Sequence, residues 1–132
     1  MKQLKIALFY LATLFLINVA NGQILEPVKW TTTVNKIGGQ EYELVIQAKI
    51  DNHWHLYSQQ VPEGGPIPTT FYFEDSLKTY QFIGKTREGK GIESFDNVFQ
   101  MNIKYFEKES VFKQKVRILN PDVKTIVGTV EF

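Results

Sequence analysis

Apolar residues recur at every second position over much of this chain. In "EYELVIQAKI", Tyr42, Leu44, Ile46, Ala48 and Ile50 fall on one side, and Glu41, Glu43, Gln47 and Lys49 on the other. Successive side chains of a strand point to opposite faces, so this pattern predicts a strand half buried against a core. "FQMNIKY" repeats it, with Phe99, Met101, Ile103 and Tyr105 inward and Gln100, Asn102 and Lys104 outward. "FKQKVRI" places Phe112, Val116 and Ile118 opposite Lys113, Lys115 and Arg117, and "IVGTVEF" aligns Ile126, Gly128, Val130 and Phe132. Weaker alternation marks residues 28–34, 54–58, 70–73 and 79–83.

The joins carry turn chemistry. Gly38-Gly39 suits a tight hairpin, because both positions tolerate positive φ. Asn120-Pro121-Asp122 closes another strand, and Gly84, Gly89 and Gly91 punctuate a basic loop, "GKTREGKG". Beyond residue 22 no segment holds a 3.6-residue apolar period over the ~11 residues of an average helix. About eight short strands with regular turn signals predict an all-β, antiparallel β-sandwich. Trp54 and Leu56 share a face in the 54–58 strand, which predicts Trp54 as a core anchor. Pro62, Pro66 and Pro68 follow; each lacks an amide donor, so "QQVPEGGPIP" reads as an ordered loop between sheets or edges.

The first 22 residues differ from the rest. Lys2 and Lys5 precede an apolar run over residues 6–17, and Ala20-Asn21-Gly22 forms a small-residue exit. That order predicts a secretory signal peptide over 1–22, cleaved before Gln23, since the run is short of the ~20 residues of a spanning helix. Its removal leaves thirteen basic side chains against fourteen acidic, a net charge of −1 with neutral histidines. Such a balance gives no electrostatic footprint for nucleic acid or anionic membrane. Residues 23–132 suit one domain with one core.

The candidate chemistry is sparse. His53 and His55 lie two apart, so a strand puts both imidazoles on one side, in reach of one metal. Zinc needs a third protein ligand even in a catalytic site, and no cysteine or third histidine supplies it; no metal and no other cofactor is expected. Ser58, Ser76, Ser94 and Ser110 stand in no G-x-S-x-G setting. Glu74-Asp75, and Glu107 with Glu109, read as solvated acids at strand ends. "GKTREGKG" lacks the spacing and flanking helix of a phosphate loop. These residues support no catalytic centre.

One arrangement is more specific. A "V-x-W" strand is followed by "W-H-L-Y-S" and "P-E-G-G-P-I-P-T-x-F", then by "F-x-x-x-F-x-M-x-I-x-Y-F" and "F-K-Q-K-V". Over residues 24–132 this resembles the N-terminal periplasmic domain of the thiol–disulfide interchange protein DsbD, in the form met among Bacteroidetes-type proteins. The resemblance implies an immunoglobulin-like sandwich in the periplasm. It implies a domain that takes electrons from a membrane-embedded partner domain and passes them to thioredoxin-like periplasmic oxidoreductases and to cytochrome c maturation. The family's chemistry rests on two cysteines that follow a strand like "TIVGTVEF", and this chain contains none. As given it should be inert in thiol–disulfide exchange, because the thiolate is the exchanging nucleophile. The family also shields its cysteines with an aromatic cap loop. By position the matching segment is "ESFDNVF", with Phe95 as lid and Asp96 as its polar neighbour, against the alternative that Phe95 and Phe99 are core residues flanking a turn. The rival functional reading is an exported β-sandwich binding module with no redox role.

Overall fold

A computed structural model of the chain describes residues 25–74 and 78–132. The proposed signal peptide, Asp75 and Ser76 lie outside the described residues. Among the described residues the fold is all-β, with nine strands: β1 (Val28–Gly38), β2 (Glu41–Ile50), β3 (Leu56–Tyr57), β4 (Thr70–Phe73), β5 (Tyr80–Glu88), β6 (Ile92–Asp96), β7 (Met101–Phe106), β8 (Glu109–Ile118) and β9 (Gly128–Glu131). They form a four-stranded sheet in the order β1-β2-β8-β5, a three-stranded sheet β3-β7-β6, and a ribbon β4-β9. Every pairing is antiparallel.

The alternation of β2 explains the core. Leu44, Ile46, Ala48 and Ile50 are all buried on one face, and β8 adds Phe112 and Val116 from the neighbouring strand. One cluster joins Val28, Ile46, Ala48, Ile50 and Phe112 of the large sheet to Leu56 and Phe106 of the three-stranded sheet, with Phe71 and Phe73 of the ribbon against it. A second cluster joins Leu44, Tyr80 and Val116 to Phe73, Val123 and Ile126. The large sheet thus lays one face against both smaller ones, which is a sandwich. The β1–β2 hairpin turns at Gly39, whose φ of 51° is left-handed and favours glycine.

Three expectations need correction. Trp54 is no core anchor, being 45% exposed. The chain turns at 52–53, His53 takes φ 70°, and the Trp54 amide donates back to the Asp51 carbonyl at 3.2 Å. A left-handed residue interrupts the extended path, so alternation begins only at Leu56, which is the buried residue. The tryptophan packed among the core rings is Trp30, in contact with Phe71, Phe112 and Phe132.

"GKTREGKG" is not wholly a loop, since β5 continues to Glu88. Gly84 takes φ 69°, and the register shifts between Ile83, opposite Lys115, and Arg87, opposite Lys113. A bulge absorbs the extra residues and lets the strand go on. Buried Gln114 stitches the bulge: its Nε2 donates to the carbonyls of Ile83 and Gly84, and its Oε1 accepts from the Thr86 hydroxyl at 2.9 Å.

The third concerns β7, where the expected inward row is only part of the burial. Ile103 of that row is buried as expected, with Met101 half-buried on the same side, but it is Phe106 of the opposite row that joins the main cluster. The proline-rich loop lies over that side, for a Cβ on Gly65 would stand 3.1 Å from Met101 Sδ. Both faces of β7 are therefore covered, and period-two alternation cannot tell which one meets the core.

Candidate functional site

Three places could carry function: a polar knot, a hairpin tip and a cleft. The knot centres on Glu88, whose side chain is only 5% exposed. Ser58 Oγ donates to Glu88 Oε1 at 2.6 Å, the Gln59 amide donates to Oε2 at 2.9 Å, and Lys104 Nζ stands 3.0 Å from Oε1. Burial pushes the carboxyl pKa up, but the bonds from Ser58, the Gln59 amide and Lys104 outweigh it and hold the pKa below the usual value. Glu88 is thus ionised at neutral pH. Ser58 is fully buried and its oxygen also accepts from the Gln60 amide at 2.9 Å. A hydroxyl that is inaccessible and committed on both sides is no nucleophile. The knot ties the end of β5 to β3 and β7 across the two sheets.

Sequence reasoning missed this knot. Glu88 sits in a stretch with three basic residues, Ser58 ends a weak strand, and Lys104 occupies an outward-reading position. The signal was a charge in a row that the Gly84 bulge returns to the inner face, and a bulge is not visible in alternation alone.

The histidines do not come together as a strand pair. His53 lies in the left-handed turn, and His55 Nδ1 stands 3.6 Å from Glu107 Oε1 with its ring against Tyr105. Among the described residues no group of three or more His, Cys, Asp or Glu could hold a metal ion.

The hairpin tip joins β6 to β7. Asp96 Oδ1 accepts from the Val98 amide at 2.7 Å and the Phe99 amide at 3.1 Å, a side-chain-stabilised turn. Gln100, at φ 55°, closes it by donating its side-chain amide to the Asn97 carbonyl at 2.6 Å. Phe95 pairs with Asn102, so it shares the β7 face that carries Lys104 and Phe106. Phe106 on that face is in the core, yet Phe95 is 55% exposed, and Val98 at the tip is 84% exposed. An aromatic on the inward row is thus left uncovered at this hairpin. Phe95 is therefore not a core residue, whereas Phe99 is half-buried.

The cleft has a volume of about 750 Å³ and lies between the inner face of β1 and β2 and the segment from Pro121 to Val130. Trp30, Tyr42, Phe71 and Phe73 give it an aromatic floor, and among the described residues its charged lining is Lys36 and Lys124. Trp30 Nε1 is buried with no hydrogen-bond partner among the described residues.

Comparison of the chain with protein-family models, with curated proteins and with solved structures finds no match. Among the described residues no helix is long and apolar enough to cross a membrane.

Proposed function

We propose that this chain is an exported, immunoglobulin-like docking domain of a thiol–disulfide interchange system, with the β6–β7 hairpin as its partner contact. Its partners are thioredoxin-like periplasmic oxidoreductases or the membrane domain of a DsbD-type protein. The observation that carries the reading is Phe95. It is an aromatic on the core-facing row, left uncovered at the tip of a hairpin that Asp96 holds in shape. A rigid turn that presents an exposed aromatic has the character of an interface anchor, since aromatic residues dominate contact energy and lose little entropy on ordering. The "W-H-L-Y-S" and "G-G-P-I-P-T" blocks support the family, and the sandwich is consistent with it.

In this reading the 132 residues supply the scaffold and the docking surface, while exchange needs a cysteine pair that they do not contain. The absence of cysteine also favours a second reading, an interaction module with no redox role. Titration of the chain with a thioredoxin-like oxidoreductase, followed by backbone amide shifts, separates them. Docking confined to residues 92–99 that Phe95→Ala weakens about ten-fold, the scale of one anchor residue, supports the relay domain. Shifts elsewhere, or no interaction with either redox form of the partner, would leave only the second reading.

A further inference from the structure

The inner row of β1, Trp30, Thr32, Val34 and Lys36, faces the cleft, and Val34 there is exposed although it points toward the sandwich interior. Among the described residues β1 pairs with β2 alone. The other side of this 11-residue strand is an edge among the described residues. Edges are normally blunted by proline, bulges, inward charge or brevity. β1 contains no proline, its bulge lies between Lys36 and Gly38 at the very end, and Lys29 and Lys36 stand near its termini. Its middle, residues 30–35, remains a plain extended edge beside an unfilled apolar space. A small apolar ligand would explain the space and leave the edge unexplained. A strand explains both.

We propose that β1 accepts an extended peptide segment of a partner protein as an added strand. Every pairing in the fold is antiparallel, so the guest runs antiparallel to β1. Its backbone bonds the free edge, and its alternate side chains enter the cleft beside Val34 and Thr32. Among the described residues the charged lining is cationic, Lys36 and Lys124 with no acid. Because Lys36 lies toward the C-terminal end of β1, the guest carries an acidic residue toward its own N-terminal end. This surface is separate from the β6–β7 hairpin, so the inference stands apart from the thiol–disulfide reading.

The test uses the capped octapeptide ETVTVTAS, which sets Glu opposite Lys36, Val opposite Val34 and Thr32, and Ala opposite Trp30. Binding is read by indole fluorescence in a Trp54→Phe background, so that Trp30 alone reports. The expected result is saturable binding with slowed amide exchange along β1. Lys36→Glu should weaken it about ten-fold, and the peptide KTVTVTAS should restore affinity to that variant, as charge complementarity requires. N-methylation of alternate peptide residues should abolish binding in one phase and spare it in the other, since only one set of amides meets β1. Lack of saturable binding would overturn the proposal. So would equal binding of both N-methylated forms, or oleate occupying the cleft while the octapeptide does not, which would make it a lipid pocket.

Discussion

At the scale of single residues the two tryptophans show how a local dihedral decides a side chain's fate. Trp54 and Trp30 both read as strand residues, yet the left-handed His53 swings Trp54 to the surface while Trp30 meets three aromatic rings. Trp30→Ala should cost ~3–5 kcal/mol in denaturant unfolding, the range for a truncated core aromatic. Trp54→Ala should stay within about 0.5 kcal/mol, as surface changes do. Glu88 gives a pH signature. Its folded pKa lies below the ordinary 4.5. Its contribution is therefore present above the unfolded value and is lost as pH falls through the folded pKa. Glu88→Gln should destabilise at pH 7 by about 1–3 kcal/mol, since it leaves Lys104 without its anionic partner. The same variant should flatten the acid limb of a stability–pH curve; an unchanged limb would show that other carboxylates set it. Neither role was legible in the sequence, because positive φ at His53 and the bulge at Gly84 are not encoded in alternation.

At the scale of elements, strands with one dry face were readable and strands covered on both sides were not. β2 and β8 follow their apolar rows closely: Ile46, Ala48 and Ile50 on one, Phe112 and Val116 on the other. β7 does not, because Ile103 is buried on the side away from Phe106, where the proline-rich loop meets Met101. That loop was expected to be ordered, and Gly65 accounts for part of the order. A Cβ there would sit 2.6 Å from Val61 Cγ1 and 3.1 Å from the Pro62 carbonyl. Val61 is stiff at χ1 and the carbonyl is backbone, so Gly65→Ala should cost about 1–3 kcal/mol through overpacking. Thermal unfolding is the check, and a neutral result would mean that the loop shifts freely over β7. The segment matched by position to a cap loop, residues 93–99, lies in the β6–β7 hairpin, whose turn Asp96 holds. Asp96→Ala should speed amide exchange at Val98 and Phe99, which lose their acceptor, while leaving β2 and β8 protected.

At the scale of the whole molecule the antiparallel sandwich was legible, since alternation and turn chemistry agree across most of residues 28–132. The candidate site was legible only in part. Phe95 and Asp96 came from a resemblance, while the uncovered face of Phe95 emerges from the register of β6 on β7. The cleft was not foreshadowed, because it depends on how far β9 reaches across β1 and β2. The central proposal is that this sandwich is the docking scaffold of a thiol–disulfide relay. Titration of the chain with a thioredoxin-like oxidoreductase, read by backbone amide shifts, tests it most directly. The proposal expects shifts confined to residues 92–99 and a dissociation constant about ten-fold weaker in Phe95→Ala. Shifts elsewhere, or no interaction with either redox form of the partner, would contradict it.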